Sequence, residues 1–130
     1  MGDKRPVMDK YEKERLISAV RAEYGRLDAV CGIDSSACAI RLSSRMKRRL
    51  GSFSVIPQGL LRKRLEIAIS ERIAGDSELF TDVIRHEYAH LLVYLRHPRE
   101  RHGHDAVWKA AAREVGCIPR ASRRLDRLPG

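Results

Sequence analysis

Two histidines four residues apart, with a glutamate directly after the first, stand at His86-Glu87-Tyr88-Ala89-His90. On an α-helix each residue advances about 100°, so side chains four apart share one face, a turn apart. Two imidazoles placed in this way grip a single metal ion, and zinc suits them. Glu87, beside them, stands where it can take a proton from a water that the metal polarises. The flanking residues Val83, Ile84, Tyr88, Ala89, Leu91, Leu92, Val93 and Tyr94 make the predicted helix over residues 78–95 apolar nearly all round. Such a helix is central and buried. Two histidines and a glutamate buried without partners carry a desolvation cost that a metal ion removes.

Zinc catalysis needs a third protein ligand and an open fourth position. A third histidine at the metzincin spacing is excluded, because Val93 and Arg96 occupy the positions of that pattern's glycine and histidine. The remaining candidates are His97, Glu100, His102, His104 and Glu114. His97 precedes Pro98 and lies too near the helix end to fold back. His102 and His104 follow a loop long enough to reverse the chain. His104 also opens the next helix, which favours it over His102, with Glu114 third. Tyr94 and His102 are candidates to stabilise an oxyanion, although core packing and a solvated loop position also account for them.

Other elements must hold this helix. Leu16, Ile17, Val20, Tyr24 and Leu27 recur at helical spacing and predict a helix over residues 9–27, with Gly25 weakening its last turn. Residues 39–42 and 53–56 predict short strands, the second closed by Pro57. Leu65, Ile67 and Ile69 alternate with Glu66, Ala68 and Ser70, which predicts a strand with one buried face. Asp76, Ser77 or Thr81 caps the central helix, and an alanine-rich helix over 105–115 stops at Gly116. The layout is a disordered lead-in over 1–9, a domain over 10–118 and a basic tail over 119–130.

The chain has 130 residues, 43% of them hydrophobic, which is enough for one real core and excludes a fully disordered chain. The N-terminus lacks the apolar run of a signal peptide, and the longest purely apolar run, residues 91–95, is far short of a bilayer span. Three cysteines, Cys31, Cys38 and Cys117, contain no CxxC pair, so they predict small buried residues, reduced in a cytoplasmic protein. The formal charge is +9, and residues 41–64 carry eight basic side chains and no acidic one: Arg41, Arg45, Lys47, Arg48, Arg49, Arg62, Lys63 and Arg64. Arg120, Arg123, Arg124 and Arg127 add to this in the tail. The pattern reads either as a solvated surface or as a face for phosphates. Aromatic residues for base stacking are few, so binding to DNA would be to the backbone and without sequence preference. No membrane partner is expected.

The stretch over 82–116 resembles the SprT-like zinc metallopeptidases, the family of the DNA-dependent protease Spartan. The family pattern is HExxH followed, after a loop, by a histidine with an aromatic residue four positions later, matched here by His104 and Trp108. Asp105 stands where the family has glycine, and the His102-Gly103 pair mimics that signature at a different distance from Trp108. Upstream, Arg41-Leu42-Ser43-Ser44-Arg45-Met46, Leu50-Gly51-Ser52-Phe53 and Leu65-Glu66-Ile67-Ala68-Ile69-Ser70 follow the family's strand, turn and strand order. The resemblance spans roughly residues 10–120.

It implies a compact α+β zincin-like domain: an N-terminal helix, a small three-stranded sheet, the HExxH helix and a C-terminal helix. One Zn2+ would be held by His86, His90 and His104, with Glu87 as general base in peptide hydrolysis and Trp108 packed beneath. In zincins a protein substrate lies extended against an edge strand, for which residues 65–70 are the candidate. A link to DNA would run through Arg45, Lys47, Arg48, Arg49, Arg62, Lys63 and Arg64. Two alternatives stand beside this reading. One is a basic nucleic-acid-binding module with a structural zinc, against which an intact Glu87 argues. The other is a hydrolase for a small non-protein amide.

Overall fold

A computed structural model describes residues 8–117. The predicted lead-in, up to residue 7, and the predicted basic tail lie outside the described residues. Helix α1 spans Lys10–Cys31. Asp9 and Glu12 start it with a reciprocal capping box, in which the Glu12 N–H donates to Asp9 Oδ1 at 2.8 Å and the Asp9 N–H to Glu12 Oε1 at 3.0 Å. It ends at Gly32, whose φ of 72° is the left-handed conformation that glycine adopts without penalty. The helix therefore runs one turn beyond the predicted end at 27. One interior glycine costs only about 1 kcal/mol, and Tyr24 and Leu27, buried on either side of Gly25, hold the turn in place.

Strands β1 (Ala39–Ser43), β2 (Gly51–Pro57) and β3 (Lys63–Ser70) form one mixed sheet in the order β1-β3-β2. β3 lies parallel to β1 and antiparallel to β2, so Ile67 pairs with Ile40 on one side and Phe53 on the other. This corrects the expectation that residues 65–70 form the edge strand. Both ladder sides of β3 are occupied, and β2 is an edge. Nor does β3 bury a single face. Ile67 and Ile69 enter the core, while Ala68 and Ser70 are buried too, being small side chains on a strand flanked on both sides. The Ser70 hydroxyl also donates to the Met46 carbonyl at 3.4 Å, which ties down the β1–β2 loop.

A short 3-10 turn over Glu71–Ile73 leads to helix α2 (Ser77–Arg96), which Asp76 caps by accepting the Leu79 N–H. Helix α3 (Ala106–Glu114) packs on α2, and α2 lies chiefly along β2. α1 grips the back of α2 through three polar contacts. The Tyr24 hydroxyl donates to the Ile84 carbonyl, the Tyr88 hydroxyl donates to Asp28 Oδ1 at 2.8 Å, and Arg85 Nε meets Glu23 Oε2 at 2.8 Å. All three helices and the sheet contribute to one apolar cluster. Cys38 and Cys117 are buried and Cys31 is half-buried, and the Cys117 thiol donates to the Asp82 carbonyl at 3.6 Å. Among the described residues no helix is long and apolar enough to cross a membrane.

Candidate metal centre

The 3.6-residue period of α2 sets His86 and His90 one turn apart, and the loop after α2 returns His104 to them. His104 Nε2 lies 3.2 Å from His86 Nε2 and 3.1 Å from His90 Nε2. Metal–nitrogen bonds of about 2.05 Å at tetrahedral angles would separate the nitrogens by about 3.3 Å. The two separations from His104 match edges of a zinc-sized tetrahedron, one nitrogen of each ring lies within 4.8 Å of the others, and the donor set fits that ion. Between neutral rings, each close nitrogen pair needs one donor and one acceptor. A cation at the centre satisfies all three lone pairs at once.

The environment disfavours the protonated forms of His90 and His104. Burial, reinforced by the His86 and His104 charges, pushes His90 down to about 3. Burial and then Arg49 lower His104. Trp108, 0% exposed, forms the floor, its ring centroid 4.6 Å from that of His86, 5.2 Å from His90 and 4.7 Å from His104. The α3 cap sets its position, since the Trp108 N–H donates to Asp105 Oδ1 at 3.1 Å. Its indole N–H finds no acceptor among the described residues, an arrangement that favours ring packing over hydrogen bonding.

Glu87 is only 5% exposed, and burial raises its carboxyl to about 8 against the opposing pull of Arg49. Strand β2 passes directly over it. A Cβ at Gly51 would stand 2.9 Å from Glu87 Oε2 and 3.0 Å from Val83 Cγ1. Farther along β2, Phe53 tilts against Tyr94 at 5.9 Å. There an open cleft of about 560 Å³ runs between Phe53, Val55 and Lys63 on one side and residues 98–103 on the other, with His90 in its lining.

The remaining candidates go elsewhere. Glu114 is exposed and forked onto Arg96 at 2.8 and 2.9 Å, an ion pair joining α3 to α2. His102 donates from Nδ1 to Asp105 Oδ2 at 2.7 Å and from Nε2 to Glu100 Oε1 at 2.8 Å, and these two carboxylates raise it above its ordinary range. Tyr94 is half-buried on the cleft wall.

The basic run does not form one patch. Arg45, Lys47, Arg48 and Arg49 are exposed on the β1–β2 loop, at the Ser70 end of β3, whereas Arg62, Lys63 and Arg64 are exposed at the β2–β3 hairpin. The length of β2 separates the two groups by about 20 Å. Arg41 and Arg64 both pair with Glu66, at 3.3 and 3.4 Å. Two residues gave no distinct signal in the sequence. Arg49 appeared as one charge of the run, yet its field reaches Glu87, His90 and His104. Gly51 appeared as a turn residue, yet it makes room for Glu87.

A model of the SprT-like family matches residues 13–126. No curated protein matches the chain.

Proposed function

The chain belongs to the SprT-like family, and we propose that it is a zinc-dependent endopeptidase in which His86, His90 and His104 hold the ion. The observation that carries the reading is the convergence of three imidazoles beside a buried carboxylate at an open cleft. When bound, zinc supplies Lewis acidity, polarising a carbonyl and lowering the pKa of a water toward about 7. Glu87 takes the proton of the attacking water and returns it to the leaving amine. A buried carboxyl next to His86 on the same helix stands where it can do both. A structural site closes all four positions with protein ligands. Among the described residues this group has three members, which supports a catalytic site over a structural one.

The edge strand β2 supports a protein substrate over a small amide. Its outer backbone groups can take an extended peptide as an added strand, and the open cleft beside Phe53, Val55 and Tyr94 can receive alternate side chains. The test couples metal content to cleavage of casein by the wild type and by Glu87→Gln. Zinc retained with hydrolysis lost in the variant supports the reading, and equal turnover by the two refutes it.

The second element of the proposal is that substrates are presented on DNA. It is favoured by the place of Arg45, Lys47, Arg48 and Arg49 on the loop that leads into Gly51, at the Glu87 end of β2. With about three phosphates neutralised, log K against log salt should fall with a slope of roughly −2 to −3. Binding without salt dependence, or none at low salt, leaves this loop a solvated surface.

A further inference from the structure

We propose that His97, Glu100 and His102 form a second site for a divalent transition-metal ion of the zinc class, in the loop that walls the cleft. This goes beyond the peptidase reading and does not depend on it. One potential ligand atom from each of the three side chains lies within 4.8 Å of the others. The Glu100 carboxylate stands between the rings, 2.8 Å from His102 Nε2 and 3.5 Å from His97 Nδ1. The His97 and His102 ring centroids are 5.5 Å apart, close to the 5.3 Å between His86 and His90.

The backbone builds this arrangement. α2 ends at His97, and a turn with Pro98 at its second position is closed by the Glu100 N–H donating to the His97 carbonyl at 3.1 Å. The turn brings residues 97 and 100 to one side, and His102 follows. A second observation points independently to a metal. Asp105 accepts from His102 Nδ1 at 2.7 Å, the outer-shell contact by which a carboxylate orients a ligating imidazole and directs its other nitrogen at the ion. The direct Glu100–His102 contact fills that position without metal. The ion would take the place of the Nε2 proton, which leaves to solvent.

Two imidazoles and one carboxylate suit zinc, cobalt or nickel better than calcium or magnesium. The site is weaker than the buried triad for two reasons. The side chains of His97 and Glu100 are 39% and 59% exposed, so they lose rotamer freedom on binding. Arg99 and Arg101, in the same cleft wall, repel a cation. Because residues 98–103 form one side of the cleft, an ion held here would narrow the path to His90.

The test is a calorimetric titration of the metal-free full chain with Co2+, with visible absorption recorded in parallel. Wild type should take two equivalents, the second at least tenfold weaker than the first. The double variant His97→Ala/Glu100→Gln, on an exposed turn, should take one equivalent with its tight phase unchanged. The variant His86→Ala/His90→Ala should keep the weak equivalent alone. Circular dichroism of each variant establishes that it is folded, and the loop variant decides the outcome if the α2 variant is not. Equal Co2+ uptake by the wild type and by His97→Ala/Glu100→Gln up to millimolar Co2+ overturns the proposal.

Discussion

Adding one methyl group to Gly51 should disable the base without touching a ligand. The new Cβ would stand 2.9 Å from Glu87 Oε2, 3.0 Å from Val83 Cγ1 and 3.1 Å from Glu87 Cγ. Comfortable carbon–carbon contact begins at about 3.5 Å, so roughly half an ångström must be found. The strand cannot supply it, because Gly51 is paired with Ile69 on the central strand, and Val83 is packed in the core. Glu87 is the side that moves. Overpacking of this kind costs about 1–3 kcal/mol of stability. A misplacement approaching 1 Å in a catalytic group costs about 10²-fold in rate. Gly51→Ala should therefore keep one tight metal equivalent, lose about 10²-fold in kcat on a peptide substrate, and show a smaller change in KM. The discriminating assay is the double variant with Glu87→Gln. If Gly51 acts through Glu87, the combined loss should be no larger than that of Glu87→Gln alone. Wild-type turnover by Gly51→Ala, or losses that multiply in the double variant, would refute the reasoning. Gly25→Ala is the control: it meets nothing within 4 Å, lies inside α1, and should stabilise by about 0.5–1 kcal/mol.

Glu87→Gln should retain metal and fold while hydrolysis falls by about 10²–10⁴, the range for loss of a general base. His104→Ala should lose the tight metal by elemental analysis, whereas Glu114→Ala should keep it and cost at most about 1 kcal/mol, since its partner Arg96 is an exposed ion pair. Trp108 is the chain's one tryptophan and touches all three rings, so a chelator added to the Co2+-loaded protein should restore its fluorescence and lower Tm. Glu23 is held below its ordinary range, first by the hydrogen bond from Arg26 and then by Arg85, against the opposing effect of burial. The stability it contributes is complete above the unfolded value near 4.5 and is lost as pH falls through the lower folded value, so Glu23→Gln should flatten acid denaturation in that window.

Local chemistry was legible in the residues. The relation of His86, Glu87 and His90 follows from helical period alone, and Asp76 and Gly116 mark helix ends because caps depend on neighbouring atoms. The alternation of Leu65, Ile67 and Ile69 announced a strand for the same reason. Alternation reports which face a side chain takes and says nothing of which strands lie on either side, so the placing of β3 at the centre and β2 at the edge came only with the folded chain. The choice among His102, His104 and Glu114 belonged to the path of residues 97–105. Their spacings all permit a return to α2, and it is the Pro98 turn and the Asp105 cap that bring His104 back while His102 turns to Glu100. The basic run looked continuous because charge adds along a sequence, yet a seven-residue strand carries its two halves apart. Gly51 acquires its meaning from its close approach to α2, and Arg49 from its charge effect on Glu87, His90 and His104, all more than thirty residues away in the chain. Periodicity, capping and composition act within a few residues of one another, whereas strand order, loop return and close approach are decided by which distant surfaces bury each other, and that only the tertiary structure settles.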